Sequence, residues 1–284
     1  MEEKVINTGL RGVIIASTRI SDVDGAAGKL VYRGYLAKDL AGEVSFEETA
    51  YLLLYEELPD REELADFKQR LVRERTLPEE LIAFLNASPK DALPMDILQA
   101  SVSILAQYDP DLKDASREGS ARMAVRMIAK FATIVAAWDR IRNHQKPILP
   151  NPDLSHAANF LYMLNGKVPD DELARYFDTC LVLHAEHSFN ASTFAARVVA
   201  STRAGLVSAA MGGISALKGP LHGGAPGPVL DMLDEIGVPE NAEAWIDAAL
   251  GRGDRLMGFG HRVYRVRDPR ADALKAAVAR LPGT

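Results

Sequence analysis

Two of the six histidines stand in glycine-flanked segments, and chemistry is expected there first. His222 lies in Lys218–Pro228 (KGPLHGGAPGP), whose four glycines and three prolines cannot continue a helix. Glycines beside a histidine let backbone approach a ligand and leave amide groups pointing into a cleft. His261 follows Gly258, Phe259 and Gly260 and precedes Arg262, Arg265, Arg267 and Arg270. Guanidinium groups bind carboxylates bidentately. Neutral imidazoles beside an arginine suit carbonyl chemistry on an anionic acid, with donors aimed at oxygens that gain charge.

The other histidines are weaker candidates. His184 and His187 are three apart near the end of an apolar segment expected to be helical, so they are expected to share a face. Imidazoles at that spacing can hold a metal ion, but no third ligand of matching spacing is near, so no metal is expected and polar ligation of a small anion or carbonyl is. His144 is expected in a loop and His156 in a first helical turn, as surface or capping residues.

The chain has 284 residues, with 33 basic and 39 acidic side chains and a net charge of −6, which argues against a general nucleic-acid binder. Residues 251–284 carry eight basic and three acidic groups, a local +5 that leaves −11 on the first 250. A cationic segment on an anionic protein fits a bound carboxylate or phosphate, or a solvated face with no partner. The one cysteine, Cys180, excludes an internal disulfide and a Cys-rich metal module. The opening MEEKVINTGL has no apolar run, so no secretory signal is expected. The longest uncharged apolar stretch, Ala204–Leu217, is too short and Gly-rich to span a bilayer. A cytoplasmic location is expected.

The elements that must position these residues are mostly helices. Val13–Ser21 and Lys29–Tyr35 read as a β-hairpin around the turn Asp22–Gly28. Ser45 and Glu48 form a capping-box signature for a helix ending at Pro59, and Asp60–Arg75 reads as a surface helix. Further helices are expected from Pro78, then over Pro94–Gln107, Arg117–Asn143 and Leu154–Leu164. Asp171–Leu217 is expected to hold two helices broken near Asn190, followed by helices at Val229–Ile236, Asn241–Leu250 and Arg270–Leu281. The fold class is therefore mainly α with one small N-terminal hairpin.

Four segments together resemble one family. Residues 258–270 (GFGHRVYRVRDPR) resemble the signature of the citrate synthase family: a glycine-flanked histidine, then a basic residue and Asp-Pro-Arg. Residues 219–225 (GPLHGGA) resemble its other histidine loop, residues 184–193 (HAEHSFNAST) its substrate-histidine segment, and the stretch from Gly12 to Tyr35 its N-terminal hairpin. All four occur in the family's order across the chain.

The resemblance implies a citrate synthase-like two-domain multi-helical fold: a large helical domain with the hairpin over residues 1–220, and a partial small domain over 221–284 that closes over the substrate, in a homodimer or larger assembly. It implies condensation of acetyl-CoA with oxaloacetate and thioester hydrolysis to citrate and CoA, with no tightly bound cofactor. His222 would bond the thioester carbonyl, His261 would donate to the keto-acid carbonyl, and His187 and Arg270 would hold oxaloacetate. Leu256, Met257, Gly258, Phe259 and Gly260 would line the coenzyme A site. Two departures stand out. Pro226 replaces an Asn usual in the family, removing a side-chain amide and a backbone donor. The family's catalytic Asp and two further arginines lie beyond the position where this sequence stops, so the 284 residues are expected to lack the general base. A 2-methylcitrate synthase using propionyl-CoA and a non-catalytic CoA- or di-acid-binding relative remain alternatives.

Overall fold

The computed structural model describes residues 15–281. A three-stranded antiparallel sheet opens it, with β1 at Ser21–Asp24, β2 at Lys29–Tyr32 and β3 at Tyr35–Leu36, in the order β1-β2-β3. Ser21 pairs with Tyr32 and Asp24 with Lys29. The first strand is therefore shifted from the expected Val13–Ser21 into the expected turn. Residues 13 and 14 of that stretch lie outside the described residues, and 15–20 make no ladder. The reason is local: Asp24 Oδ1 accepts the amides of Ala26 and Ala27 at 3.0 and 2.8 Å, so the tight turn begins only after Asp24.

The helices follow. They are α1 (Ala37–Leu40), α2 (Phe46–Tyr55), α3 (Arg61–Arg73), α4 (Glu79–Ala87), α5 (Pro94–Ala106), α6 (Arg117–Arg142) and α7 (His156–Asn165). Ser45 and Glu48 close the expected capping box on α2, and Asp60 and Glu63 close a second on α3. Helix α2 stops at Tyr55, short of Pro59, because Glu56 turns left-handed at φ 85°. Helix α3 is charged outside, yet Phe67 and Leu71 on its inner face are fully buried.

Asp171–Leu217 holds three helices rather than two: α8 (Asp171–His184), α9 (Ala191–Ser201) and α10 (Leu206–Leu217). The break near Asn190 is there, with its side chain capping α9 through the Thr193 amide. The second break falls at Thr202–Gly205, where Arg203 and Gly205 take positive φ and fold α10 back along α9. Helix α11 (Pro226–Ile236) starts inside the proline-rich loop, because Pro226 at a first helical position gives up an amide that would have had no partner. A 3-10 turn, α12 (Ala242–Gly251) and α13 (Pro269–Val278) are the last elements among the described residues.

Helix α6, about 39 Å long at 1.5 Å per residue, is the spine. Its Ile134, Trp138 and Ile141 pack with Leu77, Leu81, Leu85 and Ile97 under α4 and α5. Its Val125 and Ala129 meet Phe67 and Leu71 of α3, and its Met123 meets Val102, Val207 and Ile214. Each fully buried leucine here stabilises by roughly 1.5–3 kcal/mol. A fourth cluster joins Leu30 and Tyr32 of the sheet to Leu40, Leu52 and Val182, and fixes the hairpin on α8. His156 is not a surface residue: it is buried against the Phe46 ring at 5.0 Å, and burial pushes its pKa down to about 4. His144 is exposed, at φ 58°.

The hairpin turn in turn grips the far end of the chain. Arg265 N donates to Gly25 O at 2.8 Å, and a Cβ at Gly25 would sit 2.3 Å from the Val263 carbonyl oxygen. Helix α13 packs on α8 and α1, which closes that contact from the other side. Gly25→Ala is expected to cost about 1–3 kcal/mol through overpacking. A urea midpoint lowered without a change in slope is the expected result; an unchanged midpoint would show that the turn does not carry the contact.

Candidate active site

His187, His261, Tyr264, Asp268 and Arg270 converge beside that contact. The His187 and His261 rings lie 5.6 Å apart between centroids, and Tyr264 packs on both, 5.6 Å from His187 and 4.7 Å from His261. Tyr264 Oη and His187 Nε2 are 3.1 Å apart. The sheet holds the His187 segment in place: Ser21 Oγ donates to Glu186 Oε1 at 2.8 Å and Tyr32 Oη donates to Leu183 O at 3.2 Å. His187 is not on a helix. Helix α8 ends at His184, whose Nδ1 lies 2.7 Å from Cys180 O, so the two histidines do not share a face.

His261 is oriented by its own loop. Gly258 and Gly260 take φ of 83° and 84°, conformations that suit glycine and bring the chain sharply round to the histidine. The amides of Val263 and Tyr264 donate to His261 Nδ1 at 3.0 and 3.1 Å. Nδ1 is thus an acceptor, and in the neutral ring the proton sits on Nε2, where it can be donated. Burial and the Arg270 charge lower the pKa of His261, with Asp268 opposing them. Burial, Arg270 and His261 push His187 down to about 4. Both rings therefore stay neutral at pH 7 and act as donors without carrying charge.

Arg270 supplies the positive charge. Asp268 binds its guanidinium through Nε at 3.0 Å and Nη2 at 2.7 Å, and Asp268 Oδ1 also caps α13 through the Arg270 amide at 3.0 Å. Burial works against the Arg270 charge, but Asp268 outweighs it and the net shift is upward. One edge of the guanidinium is spent on Asp268, so a substrate carboxylate would take the other edge.

His222 is held separately, against the start of α9. Ser192 N donates to His222 Nε2 at 3.3 Å and Ser192 Oγ lies 2.9 Å from the same nitrogen. An amide donating to Nε2 leaves the proton of the neutral ring on Nδ1. His187 and Ser192 bound one short segment, with His261 against one end and His222 against the other; five residues span at most about 18 Å. The glycines after His222 serve the turn itself. A Cβ at Gly223 would meet Leu217 at 2.5 Å and one at Gly224 the Lys218 oxygen at 2.8 Å, and the amides of His222 and Gly224 donate to Gly219 O. The expected backbone cradle is thus, at those two amides, a self-bonded turn. Leu256 and Met257 are half-buried and Phe259 is 71% exposed, in the irregular stretch between α12 and His261.

Sequence patterns pass over Tyr264 and Ser192, and give Asp268 only as part of the Asp-Pro-Arg unit, without its role on Arg270. Asp268 was readable as an N-cap before Pro269, and Ser192 as part of the cap at Asn190. Tyr264 carried no signal beyond being the aromatic residue in an arginine-rich run. Among the described residues no cluster of three or more His, Cys, Asp or Glu side chains could hold a metal ion, and no helix is long and apolar enough to cross a membrane.

Residues 9–284 match the family described as citrate synthase, C-terminal domain. The citrate synthase of Deinococcus radiodurans is 43% identical over 270 residues, covering 95% of this chain and 72% of that protein. The 2-methylcitrate synthase of Mycobacterium tuberculosis is 44% identical over 280 residues, covering 99% of this chain and 71% of that protein. The ternary complex of Thermoplasma acidophilum citrate synthase with carboxymethyl coenzyme A and oxaloacetate superposes with a TM-score of 0.90 at 33% identity, covering 96% of this chain and 72% of that one. The four segments, the helical fold and these matches converge on one conclusion: the chain belongs to the citrate synthase family.

Proposed function

We propose that the protein condenses the acetyl group of acetyl-CoA with oxaloacetate and hydrolyses the thioester to give citrate and CoA. The observation that carries this reading is the meeting of two neutral histidines, His187 and His261, with the Asp268-braced Arg270. A general base other than Asp268 and Asp272 takes a proton from the acetyl methyl group, and the electron pair left behind puts charge on the thioester oxygen, which His222 stabilises through Nδ1–H. The new carbanion attacks the keto carbon of oxaloacetate. Its oxygen gains the electron pair and takes the proton of His261 Nε2. Arg270 and His187 hold the carboxylates, and water then cleaves the thioester. The acidic side chains of 262–281 are engaged elsewhere: Asp268 binds Arg270, and Asp272 lies 3.0 Å from Arg267. The methyl proton is assigned to neither.

Leu256–Gly260 is the proposed coenzyme A lining. The proposed division of the chain is a large domain over 1–220 and the start of a smaller one from 221, whose 258–267 loop leans on the hairpin. A homodimer in the cytoplasm completes the reading. The dimer is supported by α9, which packs on α10 yet leaves Phe194, Ala195, Ala196 and Val199 only half-buried and Val198 exposed.

Turnover of acetyl-CoA and propionyl-CoA with oxaloacetate, measured side by side by release of CoA, tests the proposal. Preference for acetyl-CoA is expected; preference for propionyl-CoA would make the protein a 2-methylcitrate synthase, and oxaloacetate binding without turnover of either would make it a binding relative. His261→Ala and His222→Ala should each lower kcat by about 10²–10³-fold, the loss typical for one oxyanion donor. Equal activity in either variant would remove that residue from the mechanism. Oxaloacetate affinity should stay flat as pH falls through the ordinary histidine range and strengthen only toward about 4, where His187 gains a proton and with it a positive charge that attracts the substrate carboxylates. An inflection near 6.5 would contradict the neutral buried ring.

A further inference from the structure

We propose that Tyr264 is a positioning residue that aligns both histidines of the keto-acid site: its hydroxyl fixes the tautomer of His187 and its ring and backbone amide hold His261. The proposal rests on the citrate synthase reading of that site. Tyr264 is 4% exposed, in a loop whose neighbours from Gly258 to Arg267 are all exposed. Beside the Arg265–Gly25 contact, it is the side chain by which the His261 loop is anchored on the His187 segment.

Three separate contacts leave this one residue. Its Oη lies 3.1 Å from His187 Nε2. Its ring lies 4.7 Å from the His261 ring, inclined at 34°. Its amide donates to His261 Nδ1 at 3.1 Å. The phenol keeps its proton, because burial and Asp268 push its pKa up to about 12 against the pull of Arg270. It can therefore donate to His187 Nε2, which leaves the His187 proton on Nδ1. Without that donor a neutral imidazole is free to place its proton on either nitrogen, and a histidine in the wrong tautomer presents a lone pair where the substrate carboxylate needs a hydrogen.

Tyr264→Phe keeps the ring and removes only the hydroxyl. In this variant KM for oxaloacetate should rise about tenfold, the scale of one lost hydrogen bond. KM for acetyl-CoA should stay within about twofold, because the thioester lies toward His222. The ¹⁵N shifts of the His187 ring should report Nδ1–H in the parent and a population of Nε2–H in the variant. Tyr264→Leu, which also removes the ring contact with His261, should lower kcat as well. An unchanged KM for oxaloacetate with unchanged ¹⁵N shifts in Tyr264→Phe would overturn the proposal. So would equal losses for both substrates without a tautomer change, which is the mark of a purely structural role. If the parent consumes neither thioester the reaction assigned above fails, while the ¹⁵N comparison still decides the role of Tyr264.

Discussion

The contact between the hairpin turn and the Val263–Arg267 segment is the constraint on which the site depends. A hydrogen bond from Arg265 N to Gly25 O, with no room for a side chain at Gly25, joins the two ends of the described chain. Without it the His261 loop would be a glycine-hinged excursion between α12 and α13. With it, the loop is pressed onto the His187 segment, which the sheet already holds through Ser21 and Tyr32. The small sheet is thus less a part of the core than a bracket between two histidine-bearing segments.

Electrostatics complete what packing begins. Arg270 is braced by Asp268 and lies close enough to His187 and His261 to disfavour a second positive charge on either. The same cation that would hold a dianionic acid therefore keeps the neighbouring imidazoles neutral. This is an economical division of labour: one fixed charge for binding, and neutral donors for oxygens that become negative only as bonds form. His222 stands apart on the α9 cap, which suits a donor for the other reactant.

Much of this was legible in the sequence, because glycine-flanked histidines, the Asp-Pro-Arg unit and the capping boxes are local signals. The helical fold was readable from apolar spacing in α2 to α7, where propensity and packing agree. The shift of β1 is local, set by the Asp24 turn, and most other misses come from long-range contact. The break at Thr202–Gly205 uses the positive φ of Arg203 and Gly205, but it is the packing of α10 back along α9 that selects it. His156 is buried because Phe46, far off in sequence, packs on it. His187 left its expected helix because α8 ends early, at His184. Tyr264 and Ser192 gain meaning only when their histidine partners, at 187 and 222, are brought beside them.

The most direct test of the site is diffraction from crystals of the protein soaked in oxaloacetate. Density is expected with one carboxylate on the Arg270 edge not used by Asp268 and the keto oxygen within hydrogen-bond distance of His261 Nε2. Density seated away from both residues, or none at saturating oxaloacetate, would contradict the assignment of this cluster as the keto-acid site.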